Sequence, residues 1–226
     1  MTQDIIREFD RVPAGVVRQA SEFQPAILAD VAGRRGALHG RIQALRPRMK
    51  VAGTAFTVEV RPGDNLMIHA AMSMAKPGDV LVIDGKGDLT AALMGTIMMT
   101  ACQQLGIAGV VVDGAVRDTL EIDEMDFPVF AAGSNPNGPT KNCPGRIGHP
   151  VTVGGVTVHP GDFVIGDADG VVVVEREKIE SLLPAAVKKV ADESARIAAI
   201  KKGDTEAKWL AAALRHAGVL KEGESL

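Results

Sequence analysis

Apolar positions near the start of the chain recur at helical spacing. "DIIREFDRV" and "ASEFQPAILADVAGR" predict helices across the first 40 or so residues, broken at Pro13 and Gly33 and forming an N-terminal lid. At "MKVAGTAFTVEVRPGDN" the period becomes two, with Ala55, Thr57 and Glu59 facing one way and Phe56, Val58 and Val60 the other, so a strand closed by a turn is expected. "NLMIHAAMSMA" then predicts a helix, "KPGD" a turn, "VLVID" a buried strand ending in "GKGD", "LTAALMGTIMMTACQQLG" a helix stopped by Gly106, and "AGVVVDG" another buried strand. Strand, helix and strand in that order make a right-handed βαβ crossover with parallel pairing.

After Phe127 the pattern shortens to strands between Gly and Pro turns, in "PVFAAG", "PVTVGGVTVHPGD" and "FVIGDADGVVVVE". From Arg176 it becomes helical again through about Lys202, too long and polar to be core filling. The expected organisation is an α/β domain over residues 1–180, with a central mixed sheet and N-terminal helices, and a C-terminal helical arm over 181–226 that packs on a neighbouring subunit.

Composition narrows the function classes. With 46% hydrophobic and 23% charged residues and a formal net charge of -3, the chain resembles an ordinary globular protein and lacks the basic excess of a nucleic-acid binder. Its apolar runs fall far short of the roughly 20 residues that cross a bilayer, and "MTQDIIREFDR" lacks a signal-peptide core, so no membrane association and a cytoplasmic location are expected. Cys102 and Cys143 form no metal-ligand spacing and are read as reduced and structural; any metal would have oxygen ligands, pointing to magnesium or manganese.

The candidate chemistry gathers at strand ends. In "VVVDGAVRDTLEID", Arg117 and Asp118 lie just past the "AGVVV" strand, where open α/β sheets place ligands; an ordinary surface ion pair is the plainer reading of such a dipeptide. Gly95 marks either a helix start that aims free N–H groups at an anion or a close-packed glycine within one helix. Lys86, between two glycines, is either a Schiff-base lysine or, more commonly, a solvated turn residue, and Asp84 and Asp88 read as turn caps. His69 and Asn65 rank below the Arg-Asp pair, and Asp167 and Asp169 in "GDADG" read as a turn, since the rest of a calcium loop is missing. "AGSNPNGPTKNCPGRIG" is a loop long enough to cover one side of a cleft.

Taken in order, "RPGDNLMIHAA", "KPGDVLVID", "AALMGTIMMTACQQLGIAGVVVDGAVRDTLEIDEMDFPVF" and "VHPGDFVIGDADGVVVV" resemble the family of 4-hydroxy-4-methyl-2-oxoglutarate/4-carboxy-4-hydroxy-2-oxoadipate aldolase and the regulator of ribonuclease activity A, over residues 26–203. Gly95, Arg117, Asp118 and Glu121 carry its signature. The resemblance implies a swivelling β/β/α fold, trimers or hexamers with sites between subunits, and a metal-dependent pyruvate aldolase with oxaloacetate decarboxylase activity. It implies that Asp118 binds magnesium or manganese, partly through ordered water, that Arg117 contacts the pyruvyl group, and that the backbone of Gly95, Thr96, Ile97 and Met98 holds the substrate carboxylate. It also implies that a glutamate of a neighbouring subunit's C-terminal helix, matched by Glu193, approaches the metal waters. Where the aldolases carry an aspartate after the glycine this chain has Thr96, which cannot act as a carboxylate base. The other function the family implies is non-catalytic binding to a ribonuclease assembly.

Overall fold

The computed structural model describes residues 4–221, 223 and 224. The chain divides into two compact units, residues 1–186 and 187–226. The first holds α1 (Ala14–Ala20), α2 (Pro25–Val31), β1 (Gln43–Ala44), β2 (Val51–Glu59), α3 (Leu66–Met72), β3 (Asp79–Met94), α4 (Thr96–Gln104), β4 (Gly109–Val116), α5 (Thr119–Glu124), β5 (Val129–Ser134), β6 (Arg146–Ile147), β7 (Val151–Val153), β8 (Val156–Val158), β9 (Phe163–Asp167) and β10 (Gly170–Val174). Helix α6 (Arg176–Lys201) begins in this unit and runs on into the second, which also carries α7 (Leu210–His216). Among the described residues no helix is long and apolar enough to cross a membrane.

The sheet is mixed, in the order β1-β5-β4-β3-β2-β9-β10, with β6 paired to β2. Strands β2 to β5 run parallel to one another, and β1, β6, β9 and β10 pair antiparallel. The β3–α4–β4 crossover is the expected βαβ unit. The sheet is covered on both faces, which changes the reading of β2: seven of its nine residues are buried, so alternation in its sequence does not separate a wet face from a dry one. Phe56 and Val58 enter a core with α3, α4 and β6, whereas Ala55 faces a second core with Val153 and Val158 of the β7–β8 hairpin.

Two expectations about helices are corrected. Residues 6–13 form neither helix nor strand, and the N-terminal segment is no lid: Ile5 bridges Ile147, and Phe9 stacks on Phe56 with ring centroids 5.5 Å apart. Arg11 covers Phe9 and forms two hydrogen bonds to the buried Asp79 at 2.8 and 2.9 Å. Each apolar residue of "DIIREFDRV" thus has its own docking place, and the backbone is tied down without a helical turn. Helices α1 and α2 pack Val16, Ala20, Ile27 and Leu28 against Phe163, Val172 and Ile179, as core elements.

The stretch expected as one helix from Leu89 is instead two elements. Strand β3 passes through "GKGD" and continues to Met94, and α4 starts only at Thr96. Between Asp84 and Met94 the strand makes a long excursion, facing only Asp113 to Val116 of β4, and then rejoins it through Ala92↔Ala115 and Met94↔Val116. An apolar run such as "AALM" fits either a helix or a strand; the open edge of β4's last residues decides for the strand.

Three Pro-Gly-Asp turns share one construction. Their glycines, Gly63, Gly78 and Gly161, have φ of 71°, 88° and 96°, and their carboxylates, Asp64, Asp79 and Asp162, are buried. The lysine and histidine before two of these turns, Lys76 and His159, each donate a backbone N–H to the aspartate three residues on, at 2.8 Å. The turns therefore tie loops to the core through a buried acid.

Candidate functional site

Strands β3 and β4 stay hydrogen-bonded to their tips, where the N–H of Arg117 donates to the Met94 carbonyl at 3.0 Å. Gly95 follows one tip and Arg117-Asp118 the other, so residues 22 apart in sequence meet. Asp118 takes the left-handed conformation, φ 60° and ψ 41°, which few side chains other than Asn and Asp tolerate. Its carboxylate accepts the Thr96 N–H at 3.0 Å. The approach is close: a Cβ on Gly95 would lie 2.4 Å from Asp118 Oδ2 and 3.0 Å from Arg117 Cγ. Gly95 therefore both starts a helix and permits close packing.

The Arg-Asp pair is a weak ion pair. Arg117 Nε lies 3.7 Å from Asp118 Oδ1, too far for a hydrogen bond, so the guanidinium donors are not consumed by the neighbouring carboxylate. Gly138 of the long loop gives the guanidinium room, since a Cβ there would come within 3.1 Å of Arg117 Nη1.

Around these residues lies a cleft of about 130 Å³. That is well under the roughly 300 Å³ at which drug-sized sites begin, and it suits a small acid. Arg117, Asp118, Gly95, Ile97 and Met98 line it, together with Asn65 and His69 at α3 and Pro139 and Lys141 of the long loop. Partial burial, and then the nearby Lys141 ammonium, hold the His69 imidazole below its ordinary pKa. Asn65 donates from Nδ2 to the Leu93 carbonyl at 2.9 Å, while its buried Oδ1 has no hydrogen-bond partner among the described residues. An unsatisfied buried acceptor in a cleft wall calls for a donor from a ligand or from water.

The α4 amides are not equally available. The Thr96 N–H is held by Asp118, and the Met98 N–H donates to the Gly95 carbonyl at 3.0 Å. Of the three, Ile97 alone has an N–H with no hydrogen-bond partner among the described residues. The Thr96 hydroxyl is also buried without a hydrogen-bond partner among the described residues. Glu121 sits exposed in the first turn of α5. Glu193 belongs to the second unit, where it pairs with Lys189 at 3.3 Å.

Lys86 is solvent-exposed, as the plainer reading expects, but it is not a free amine. Its Nζ lies 2.6 Å from the buried Asp84 and 3.0 Å from Glu59, and these bonds outweigh burial and raise its pKa. Glu59, Asp84 and Asp113 form a register row across β2, β3 and β4, neutralised by Lys86, Arg146 and Arg41. A Schiff-base amine needs the opposite shift. Asp88 caps its turn through Thr90, and Asp167 does so through the N–H of Asp169. Both cysteines are free, and burial pushes the Cys102 thiol up to about 12. Sequence reasoning missed Lys141 and Pro139 as lining residues; the only signal for Lys141 was a cation near the middle of a Gly-, Pro- and Asn-rich loop.

A family model described as RraA-like, Aldolase/RraA, matches residues 14–173. The chain belongs to the RraA-like family. A Halalkalibacterium halodurans protein named "Putative 4-hydroxy-4-methyl-2-oxoglutarate aldolase" is 45% identical over 163 residues, covering 72% of this chain and 78% of that one. Among solved structures, Streptomyces coelicolor RraAS2, titled an unusual member of the RNase ES inhibitor RraA protein family, superposes with a TM-score of 0.77 at 28% identity, covering 84% of this chain and 99% of that one. The RNA-processing inhibitor RraA from Thermus thermophilis has a TM-score of 0.62 at 33% identity, covering 67% and 92%. The mixed-sheet α/β fold of this RraA-like chain is the fold of these neighbours.

Proposed function

We propose that the protein is a divalent-metal-dependent pyruvate aldolase that cleaves a 4-hydroxy-2-oxo di- or tricarboxylic acid, of the 4-hydroxy-4-methyl-2-oxoglutarate or 4-carboxy-4-hydroxy-2-oxoadipate kind, to pyruvate and a second oxo acid. The observation that carries this reading is the meeting of Asp118, Arg117 and the Ile97 amide in one small cleft that Lys141 also lines. Among the described residues no cluster of three His, Cys, Asp or Glu stands ready to hold a metal. The donor set fits magnesium or manganese nonetheless, because such ions keep several waters and are commonly held by one or two carboxylates plus oxygens of the substrate. Asp118 would hold the ion, which when bound supplies Lewis-acid polarisation of the 2-oxo carbonyl.

The remaining work falls to the chain. The Ile97 N–H and the Arg117 guanidinium bind the oxygens of the pyruvyl end, and Lys141 faces a carboxylate on the other half. The C3–C4 bond breaks, its electron pair moves to the pyruvyl half as an enolate, and Arg117 neutralises the charge growing on the oxygen. The C4 hydroxyl loses its proton as it becomes a carbonyl. Thr96 cannot accept that proton as a carboxylate would; Glu193 of an adjacent copy, or neutral His69, can. Reprotonation at C3 releases pyruvate. Oxaloacetate loses carbon dioxide through the same enolate, so decarboxylation accompanies aldol cleavage.

The reach of Glu193 requires an oligomer, a trimer or hexamer. Val190, Ile197 and Ile200 are exposed on α6, and with Glu193 they follow the spacing of one helical face, which supports burial of that face against another copy.

A second reading, a protein-binding regulator of ribonuclease, is favoured by the inhibitor titles of two structural neighbours. One assay separates the two: pyruvate release from 4-hydroxy-2-oxo acids and oxaloacetate, with and without magnesium. The aldolase requires metal-dependent turnover that Asp118→Ala abolishes, a loss of several kcal/mol of barrier lowering. Absence of turnover with every acid sinks the enzymatic reading, and wild-type rates in Asp118→Ala at limiting magnesium sink the metal assignment.

A further inference from the structure

The acid of the first Pro-Gly-Asp turn, Asp64, is 1% exposed and does not line the cleft. Its carboxylate collects four donors. Oδ1 accepts the Leu66 N–H at 3.0 Å, and Oδ2 accepts the Thr140 hydroxyl at 2.6 Å and the N–H groups of Asn142 and Cys143 at 2.7 and 3.2 Å. Leu66 begins α3, the helix that carries His69; Thr140 and Asn142 flank Lys141. Two further bonds fix the same junction, from the Asn65 N–H to the Thr140 carbonyl at 3.0 Å and from the Thr140 N–H to the Gly63 carbonyl at 2.8 Å. Two parts of the lining, Asn65 with His69 and Pro139 with Lys141, therefore hang on one buried carboxylate.

Resting on the aldolase reading above, we infer that Asp64 is the positioning residue that sets the α3 and loop lining of the cleft, and hence the place at which Lys141 receives a second carboxylate of the substrate. Loops of this composition have no reason of their own to hold a lysine in place. Here residues 140–143 are held by an acceptor with no other task, because the carboxylate touches neither the ion-holding side nor the substrate. Hydrogen bonds to a charged acceptor are the strong ones, and a buried carboxylate satisfied by four donors has a single low-energy position. The clamp stays ionised at any working pH, since its donors outweigh burial and hold the acid at about 2.

The test uses the full-length, magnesium-loaded protein and the isosteric Asp64→Asn, which aims an amide at donors that need an acceptor. Amide hydrogen exchange at Asn142 and Cys143 should quicken at least about ten-fold while β3 and β4 keep their protection. For 4-hydroxy-4-methyl-2-oxoglutarate, KM should rise at least about ten-fold with kcat little changed, because a wall displaced by on the order of 1 Å loses its hold on the distal carboxylate. Deuterium exchange into the methyl group of pyruvate, which has no distal carboxylate, should continue. Thr140→Val, which removes only the hydroxyl contact, should give the same pattern at smaller size and covers the case in which Asp64→Asn folds poorly. The double variant Asp64→Asn with Lys141→Ala should show no more loss than Lys141→Ala alone. Unchanged loop exchange, additive losses, or pyruvate exchange falling as steeply as KM rises would each overturn the inference. A wild-type protein that neither cleaves the acid nor exchanges pyruvate, yet whose loop loosens in Asp64→Asn, would instead locate the failure in the aldolase reading, leaving Asp64 a clamp without that reaction.

Discussion

Replacing Gly95 by alanine isolates the site from the fold. The backbone there is extended, with φ -149° and ψ -170°, a region every residue adopts, so alanine meets no torsional cost. What it meets is Asp118. The added methyl would lie 2.4 Å from Oδ2, 3.2 Å from Cγ and 3.0 Å from Arg117 Cγ. Ordinary carbon–oxygen contact requires a shift of roughly 1 Å, and the Asp118 side chain, 36% exposed, has open solvent to move into. Moving it breaks the 3.0 Å bond from the Thr96 N–H, about 1.5–3 kcal/mol for a charged acceptor, less what water restores. Alanine also narrows the unfolded ensemble, which returns about 0.4–1 kcal/mol.

The net loss of stability is at most about 2.5 kcal/mol, so the thermal midpoint should fall by at most about 10 °C. A carboxylate misplaced by about 1 Å should lower kcat/KM for metal-dependent pyruvate release about 100-fold, equivalent to about 2.7 kcal/mol. Gly40→Ala is the matching control, because a Cβ there meets nothing within 4 Å. Wild-type kcat/KM in Gly95→Ala would refute the reasoning, since the methyl group cannot coexist with the present position of Asp118. So would a loss of activity that merely tracks unfolding.

Other outcomes follow from the same geometry. Borohydride with pyruvate should trap no adduct on Lys86, and Lys86→Met should cost about 1–3 kcal/mol in denaturant unfolding by leaving the buried Asp84 Oδ2 short of a donor; a covalent adduct at Lys86 would overturn the metal mechanism. Asp64 has a folded pKa of about 2 against an ordinary 3.8, so its stabilisation of about 2 kcal/mol is present above pH 3.8 and lost as pH falls through 2; acid unfolding curves of Asp64→Asn should lack that component, and an unchanged acid limb would contradict it. Glu193→Gln should lower kcat far more than it raises KM, and unchanged kinetics would remove the α6 glutamate from the reaction. Thr96→Asp should raise cleavage of 4-hydroxy-4-methyl-2-oxoglutarate by restoring a carboxylate acceptor, and no gain in a variant that still binds pyruvate and metal would mean that Thr96 serves a different substrate.

Continuous apolar runs made the core strands legible. "VLVID" and "AGVVV" have no polar interruption because both faces of a parallel sheet are covered, and their ends mark the cleft. The same property hid the end of β3, since "AALM" before Gly95 fits two periods and only the unpaired tip of β4 selects one. The N-terminal "DIIREFDRV" misled for the reverse reason: its spacing suits a helix, but Ile5, Phe9 and Arg11 each find a distant partner, in Ile147, Phe56 and Asp79. Such contacts leave no local trace. Lys141 and Asp64 were beyond reach on the same ground, because the bonds from Thr140, Asn142 and Cys143 that make Asp64 a clamp span more than 70 residues.

The adjacency of Arg117 and Asp118 also has a local explanation. Along an extended strand, neighbouring side chains diverge to opposite faces, so two consecutive residues of β4 could not serve one cleft. The left-handed turn at Asp118 ends the strand and starts α5, and it brings the carboxylate to the side where Arg117 lies. An aspartate at that position would ordinarily cap its own helix, a bond worth about 1 kcal/mol. Here α5 has no side-chain cap; the carboxylate reaches instead to Thr96, the first residue of α4. A local helix cap is given up for a non-local one, which moves the charge off the helix that presents it and onto the junction with β3. That exchange costs α5 stability and is not needed for the core, as the six-residue helix already docks Ile122. Departures from local optimality that persist in a well-packed fold are where function is to be sought. The strained, uncapped, glycine-dependent carboxylate of Asp118 is such a departure, and it makes this residue, ahead of any other acid in the chain, the one on which the proposed chemistry depends.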